Sequence, residues 1–419
     1  MQHLPVSIQA SDVSGNLSGN LSGTFGAYLA VPKSGSGPGL VIAQEIFGVN
    51  QTMRDVADAY AEEGYVVLVP DLFWRQQPGV QLGYTPDDWQ RAFGFYGGFD
   101  EAKGVDDIQA TLKVLRGLPQ CNGKAGVLGF CLGGKLAYLA ACRTDAQVSV
   151  AYYGVGIEKA LGELDNVKGR LVMHVAGLDQ FCPPEAQAQI VAAATGRAKV
   201  ELYVYPGQDH AFARAGGEHF HKPSALIAHQ RSITALKREI GPDHDLSALW
   251  DKHCEQEFGN RDVAATMATM VAEPYVNHIP TMTGGVGAVM LSRFYKNHFV
   301  NSNPPDTSLV PISRTVGATQ VVDEMLFCFT HTTEVPWMLP GIAPTGKRVE
   351  VPLVAVIKFR GDKLYHEHIY WDQASVLVQI GLLDAGKLPV TGIEASRKLL
   401  DENLPSNTLM KAWETSAPR

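Results

Sequence analysis

Two patterns of hydrophobic and polar positions alternate between residues 39 and 239. Short continuous apolar runs predict strands that are buried on both faces of a parallel sheet. These runs are 39–44, 65–70, 125–130, 148–153, 170–176 and 200–205. Segments with apolar residues at helical spacing lie between them, at 52–63, 102–118, 133–142, 184–194 and 223–239. The alternation predicts a doubly wound α/β domain with a mainly parallel sheet.

The pattern changes at Gly241-Pro242-Asp243-His244-Asp245, where a Gly-Pro pair breaks the chain. Beyond this segment a few predicted helices are followed by longer predicted strands at 319–331, 347–360 and 363–371. The last two strands are joined by a short turn that contains Gly361, which indicates antiparallel pairing. We therefore predict two domains, an α/β domain at 1–245 and an α+β domain at 246–419.

Composition narrows the classes of function. Of 419 residues, 45% are hydrophobic and 19% are charged, which is typical of a folded globular protein. The 35 Lys and Arg against 43 Asp and Glu give a net charge of −8, the wrong sign for binding a phosphate backbone. No run reaches the roughly 18 consecutive apolar residues of a membrane span, and the first ten residues lack the pattern of a secretory signal. We expect a cytoplasmic protein with neither nucleic acid nor membrane as a partner.

One of the six irregularly spaced cysteines lies in a motif that carries chemistry. The strand 125–130 leads directly into Gly129-Phe130-Cys131-Leu132-Gly133-Gly134 and then into a helix. This is the nucleophile-elbow pattern, in which glycines permit a sharp strand-to-helix turn and expose the central residue. The helix N-terminus would favour a Cys131 thiolate, and the Leu132 N–H could bind a developing oxyanion. The alternative is a buried structural thiol beside a packing turn.

Candidate partners of Cys131 follow later predicted strands. Asp179 follows the strand 170–176 and His210 follows the strand 200–205, in the order nucleophile, acid, base that α/β-hydrolases use. Asp179 would orient the His210 imidazole, which would act as the base. Taken singly, Asp179 could instead cap a helix and His210 could be a loop residue. Glu45 ends another apolar strand, where it could lie beside the elbow or merely cap the next helix.

These motifs resemble the dienelactone hydrolase family, the carboxymethylenebutenolidases, over about residues 5 to 240. The resemblance also rests on Gln44 to Asn50, on Tyr152 to Gly156 and on His210 to Arg214. It implies an α/β-hydrolase fold with Cys131 as nucleophile, His210 as base and Asp179 as orienting acid. It further implies that Glu45 accepts the thiol proton when substrate arrives, and that the Ile46 and Leu132 N–H groups form the oxyanion hole.

Two arginines suggest how a substrate is recognised. Arg75 follows a strand and Arg214 lies four residues beyond His210, so both could reach the mouth of the site. A guanidinium suits a carboxylate, which the family's unsaturated lactone substrate carries. The alternative is two surface arginines. We expect Phe47 and Tyr152 to form walls of the pocket, and we expect no metal or organic cofactor.

The second domain resembles the SnoaL-like polyketide cyclases, cone-shaped α+β barrels that hold small ligands. The resemblance rests on Tyr275 to His278, on Pro344 to Lys347 and on His366 to Asp372. It predicts that His278, His368 and Asp372 converge in the cone, with Asp372 as the acid or base. His366 and His368 could bind a metal, but strand histidines more often pack through hydrogen bonds. A noncatalytic ligand pocket, or a homodimer through the barrel, is the simplest expectation.

The sequence therefore predicts hydrolysis of a small carboxylated enol-lactone, or a related ester, through a Cys-His-Asp triad and a thioester. One alternative places isomerase or cyclase chemistry in the second domain, with the first domain in support. Another is a ligand-binding or redox-sensing thiol protein, in which Cys131 is modified without ester turnover.

Overall fold

A computed structural model describes residues 5–10 and 23–416. Contacts between residues divide the chain into a first unit, Met1–Asp243, and a second unit, His244–Arg419. Among the helices that the structure describes, none combines the length and the apolar character that a membrane span requires.

The first unit is built on an eight-stranded mixed sheet. Its strands are β1 (Pro5–Gln9), β2 (Thr24–Ala30), β3 (Gly37–Ala43), β4 (Val66–Pro70), β5 (Cys121–Phe130), β6 (Val148–Tyr152), β7 (Arg170–Ala176) and β8 (Val200–Tyr205). They pair in the order β1-β2-β4-β3-β5-β6-β7-β8. The six strands from β4 to β8 in this order are parallel, whereas β1 and β2 pair in antiparallel fashion. The prediction of a mainly parallel sheet is confirmed.

Helices cover both faces of this sheet. They are α1 (Gln51–Glu62), α2 (Pro86–Gly97), α3 (Glu101–Gly117), α4 (Leu132–Arg143), α5 (Pro184–Ala194) and α6 (Lys222–Ile240). Alternate residues of β3 point to opposite faces, so that Val41 packs with α3 and α4 while Ile42 packs with α1 and α6. The carboxyl ends of the parallel strands meet at one edge, where ligands bind in open α/β sheets.

The second unit contains a six-stranded sheet in the order β10-β9-β14-β13-β12-β11. Its strands are β9 (Met270–His278), β10 (Thr283–Val286), β11 (Ser308–Val316), β12 (Gln320–Thr330), β13 (Arg348–Arg360) and β14 (Lys363–Trp371). The predicted antiparallel pairing of β13 with β14 is confirmed, and β12 pairs with β13 in the same way. The sheet as a whole is mixed, because β9 pairs with β14 in parallel.

Helices of the second unit pack against the inward face of its sheet and flank it. They are α7 (Leu246–Cys254), α8 (Val263–Ala268), α9 (Gly287–Phe294), α10 (Gln373–Gln379) and α11 (Glu394–Leu400). Two π-helical segments, Glu255–Gly259 and Tyr295–Phe299, continue α7 and α9. The core is rich in aromatic side chains such as Trp337 and Phe327. The structure thus shows a sheet with helices, and the cone-shaped barrel stays a prediction.

Candidate active site

Cys131 occupies a sharp turn between β5 and α4. Its backbone has φ of 57° and ψ of −116°, a conformation that a residue other than glycine adopts only under strain. Because Cys131 directly precedes α4, the Leu132 N–H belongs to the first turn and has no acceptor inside the helix. The helix N-terminus also places partial positive charge beside the thiol, which favours the thiolate.

Glycines on both sides of Cys131 allow the backbone segments to approach closely. A Cβ atom at Gly129 would lie 2.0 Å from the carbonyl oxygen of Gly133, and one at Gly133 would lie 2.2 Å from the carbonyl oxygen of Ala43. The Gly133 N–H also donates to the Gln44 carbonyl over 3.0 Å. No larger residue fits either position without movement of the backbone.

His210 interacts with both Asp179 and Cys131. His210 Nδ1 lies 2.7 Å from Asp179 Oδ2, and Cys131 lines the same cleft as the ring and interacts with it electrostatically. The Phe181 N–H donates to the other carboxylate oxygen of Asp179 over 2.9 Å. The rings of Phe181 and Tyr153 contact the imidazole edge-on, with centroids 4.9 and 5.1 Å away. The structure therefore brings together the three residues that follow β5, β7 and β8.

The charge state of His210 is set by its neighbours. Burial lowers the pKa of His210, but the interactions of the ring with Cys131 and with the Asp179 carboxylate outweigh burial and raise the pKa to about 10. A His210 ring that keeps its proton at neutral pH can stabilise a Cys131 thiolate once that thiolate forms, while Asp179 orients the ring from the other side. The site can then supply a nucleophile and a proton donor.

Glu45 lies in the same cleft, two residues after β3, and its side chain is 2% exposed. Arg214 Nη1 donates to Glu45 Oε2 over 3.2 Å. The Arg214 guanidinium also lies over the ring of Tyr84, with 4.4 Å between its carbon and the ring centroid. Glu45 is thus a buried acid whose ion-pair partner, Arg214, also lines the cleft.

Cys131 lies in a cleft, which we call the Cys131 cleft. Its lining is mostly apolar and consists of Glu45, Ile46, Phe47, Trp89, Phe93, Tyr96, Cys131, Leu132, Val155, Phe181, His210 and Arg214. Both residues proposed for the oxyanion hole, Ile46 and Leu132, belong to this lining, as does the proposed wall residue Phe47.

Three aromatic residues of the cleft come from α2, a helix that is not among those predicted from the hydrophobic pattern. Trp89, Phe93 and Tyr96 recur at helical spacing and therefore share one face. The start of the helix carries a recognisable signal, because Thr85 and Asp88 form a reciprocal capping box. This motif, with the aromatic spacing after it, could have located both the helix and its cleft-lining face.

Tyr152 does not reach the Cys131 cleft, which corrects its predicted role as a wall. It is buried between the sheet and α6, and its hydroxyl lies 2.7 Å from Ser232 Oγ. Of the two adjacent tyrosines, Tyr153 is the one that contacts the His210 ring. Adjacent residues at the end of a strand point in different directions, and the sequence does not tell which of the two tyrosines faces the site.

Arg75 also lies outside the described lining of the Cys131 cleft. Its two terminal nitrogens pair with the carboxylate of Asp107 on α3, and its guanidinium lies 4.3 Å from the centre of the Trp74 ring. The Asp107 side chain is 1% exposed, so Arg75 neutralises a buried acid. Arg75 thus has Asp107 as its partner within the fold. Contact of Arg75 with substrate stays a prediction.

Comparison with known proteins identifies the first unit. The family model described as "Dienelactone hydrolase family" matches residues 25–240. The carboxymethylenebutenolidase of Pseudomonas sp. (strain P51) is 40% identical over 217 residues, which cover 51% of this chain and 90% of that protein. The carboxymethylenebutenolidase of Pseudomonas putida is 37% identical over 215 residues, which cover 51% and 91%. The chain belongs to the dienelactone hydrolase family.

As a member of the dienelactone hydrolase family, the chain is an ester or lactone hydrolase, and the matched residues place this activity in the first unit. Among solved structures, the dienelactone hydrolase of Anabaena variabilis superposes with a TM-score of 0.42 at 17% identity, and the match covers 57% of this chain and 99% of that one. The family match ends at residue 240, before the second unit.

The second unit has a small inner cavity between its sheet and helices. His278 lines this inner cavity, where burial lowers its pKa to about 4 and keeps the ring neutral. His368 lies on the opposite face of β14, where its ring contacts Tyr275. Asp372 caps α10 by accepting two backbone N–H bonds. The structure does not bring His278, His368 and Asp372 together, because Glu367 and not His368 points inward.

Proposed function

We propose that the first unit hydrolyses a small carboxylated enol-lactone, or a related ester, with Cys131 as the nucleophile and a thioester as the intermediate. The observation that carries this proposal is the Asp179–His210 hydrogen bond beside Cys131 in an apolar cleft. Once Cys131 has lost its proton, the thiolate beside a protonated His210 ring is activated for attack on a carbonyl carbon.

In the first half of the cycle the Cys131 sulfur attacks the lactone carbonyl carbon. The Leu132 and Ile46 N–H groups stabilise the resulting oxyanion. When the intermediate collapses, the ring C–O bond breaks, the acyl group stays on sulfur, and the enolate leaving group takes the proton of His210.

In the second half neutral His210 removes a proton from water, and the hydroxide oxygen attacks the thioester carbon. The C–S bond then breaks, the acid is released, and the Cys131 thiolate is again paired with the His210 imidazolium. Asp179 holds Nδ1 throughout and stabilises the protonated ring. The predicted role of Glu45 as an acceptor of the thiol proton is supported by its position in the same cleft.

Arg214 supports a substrate that carries a carboxylate. Its side chain is 11% exposed, it lines the cleft, and its described acidic partner there is Glu45. A substrate carboxylate that reaches Arg214 competes with Glu45 for the guanidinium, and this competition would free Glu45 when substrate arrives. The aromatic side chains of α2 would pack against the flat, unsaturated part of the same molecule.

Arg214→Gln is expected to lower kcat/KM for a carboxylated lactone by about 10- to 100-fold, because a hydrogen bond to a charged group is lost. For the matching lactone without a carboxylate, the change is expected to stay within about 3-fold, since that substrate lacks the group that Arg214 binds. The measurement is a steady-state comparison of the two lactones with the wild-type chain and the variant.

Arg91→Gln is the matched control. Arg91 is an exposed residue of α2, so its replacement removes the same charge near the cleft without removing a lining residue. Both lactones should be unaffected by this control. Equal losses on both lactones in Arg214→Gln would mean that Arg214 only supports the site, and the proposal of a carboxylated substrate would be abandoned.

We also propose that the second unit is a SnoaL-like domain that holds a small ligand. The proposal is supported by the inner cavity, whose wall combines apolar side chains with the buried polar residues His278, Glu257 and Glu367.

A further inference from the structure

Three polar side chains form a compact group at the wall of the inner cavity. His253, Glu257 and Glu367 are at most 4% exposed. His253 Nε2 lies 3.0 Å from Glu257 Oε1 and 3.1 Å from Glu367 Oε1. His253 and Glu257 are one helical turn apart at the junction of α7 with its π-helical segment, and Glu367 points inward from β14. We call these residues the His253 cluster.

A hydrogen bond on the Nδ1 side of the ring, away from the two carboxylates, fixes the orientation of His253. Its Nδ1 lies 2.6 Å from Thr269 Oγ1, and that hydroxyl donates its own proton to the Thr266 carbonyl over 2.6 Å. Thr269 Oγ1 must therefore accept from Nδ1–H, which leaves Nε2 directed at the two carboxylates. This is the arrangement of a metal-binding histidine, whose second ring nitrogen donates to an outer partner that holds the ring.

A hydrogen bond also orients one of the two carboxylates, and both carboxylates line the inner cavity. The Tyr295 hydroxyl donates to Glu367 Oε1 over 3.2 Å. Tyr295 begins the second π-helical segment, and π-helical segments are rare and often found at functional sites. Glu257 and Glu367 line the inner cavity, so one side of the His253 cluster is free to receive another ligand.

The separations within the cluster match the spacing of metal ligands. At a metal–ligand distance of about 2.1 Å, neighbouring ligands of an octahedral ion lie roughly 3 Å apart, close to the two distances from His253 Nε2. Two ionised carboxylates carry a charge of −2, which a divalent cation neutralises. One nitrogen and two oxygen ligands suit first-row ions such as Mn²⁺, Fe²⁺ and Zn²⁺.

We propose that His253, Glu257 and Glu367 bind a divalent transition-metal ion, with an open coordination position that faces the inner cavity. The site is independent of the hydrolase chemistry assigned to the first unit. It also differs from the strand pair His366 and His368, whose ring centroids lie 4.3 Å apart and which are partly exposed on the other face of β14.

Titration of Co²⁺ into the untagged, metal-free full chain tests this proposal. The chain should carry Cys131→Ala, so that the Cys131 thiol and the His210 imidazole cannot bind the probe together. Calorimetry and the visible absorption of Co²⁺ are expected to show one saturable site per chain with nitrogen and oxygen ligands. His253→Gln and Glu367→Gln should each weaken Co²⁺ binding by about 100-fold or more.

Two further variants make the result decisive. His366→Gln, which removes one member of the strand pair, should leave the affinity within about 3-fold of the starting chain. Thr269→Val keeps the shape of the side chain but removes the acceptor of Nδ1–H, and it should weaken binding about 10- to 100-fold while circular dichroism stays unchanged. The proposal is overturned if Co²⁺ does not bind saturably. It is equally overturned if binding is lost in His366→Gln and kept in Glu367→Gln, or if the absorption shows a thiolate ligand.

Discussion

Cys131→Ala is expected to lower kcat/KM for ester or lactone hydrolysis by on the order of 10⁴-fold or more, with the fold retained. Alanine keeps the Cβ atom and adopts the same backbone conformation, so the variant removes the sulfur with little other change. Without the sulfur neither the thioester nor the thiolate–imidazolium pair can form. Steady-state kinetics with a chromogenic ester and with a lactone measure the loss.

Cys142→Ala is the matched control for this variant. Cys142 lies on the same helix, α4, but is buried in the core, where burial raises the pKa of its thiol to about 11. We expect activity within about 3-fold of wild type, since this thiol is neutral and packs as a small apolar group. If Cys131→Ala kept a tenth or more of the wild-type activity, Cys131 could not be the nucleophile.

Gly133→Ala is expected to destabilise the first unit by about 3 kcal/mol or more, and to inactivate what remains folded. The added Cβ atom would lie 2.2 Å from the Ala43 carbonyl oxygen and 2.6 Å from the Gln44 carbonyl oxygen. Relief requires β3 and α4 to separate, which moves Leu132 and Cys131 relative to the strand that precedes Glu45. Hydrogen exchange of peptides from β5 and α4, read by mass spectrometry, measures how far the free energy of local opening falls below that of the wild-type chain.

Gly94→Ala makes the same chemical change as Gly133→Ala, but we expect it to stabilise the first unit slightly. Gly94 lies on the exposed side of α2, and no atom lies within 4 Å of the position of an added Cβ. Alanine inside a helix is favoured over glycine by about 0.5–1 kcal/mol, so this variant should protect α2 peptides slightly. Equal effects of the two substitutions would show that close packing at Gly133 does not restrict the elbow.

The buried strands of the first unit were the easiest part of the fold to predict. β7 and β8 begin and end where their continuous apolar runs do, at 170–176 and 200–205. β5 begins four residues earlier than its apolar run, because Cys121 to Lys124 continue the strand beyond the buried core. In the second unit, the parallel pairing of β9 with β14 joins segments far apart in sequence, and no local pattern encodes it.

The triad candidates could be found from sequence because each is tied to a local signal. Glycine spacing marks Cys131, and a strand end precedes both Asp179 and His210. The His253 cluster has no such signal. His253 and Glu257 look like an ordinary helical pair, and Glu367 joins them only through tertiary packing of β14. The sequence shows that Glu367 and His368 lie on opposite faces of β14, but it does not show which face points into the core.

The most direct test of the proposed mechanism is to detect the acyl group on Cys131 during turnover. The wild-type chain is mixed with p-nitrophenyl acetate, quenched in acid within milliseconds, and digested for peptide mass spectrometry. We predict one acetyl group per chain on the peptide that contains Cys131, released by hydroxylamine as a thioester is. Acetylation of a different residue, or acetate release without any acetylated Cys131, would contradict the proposal that Cys131 is the nucleophile.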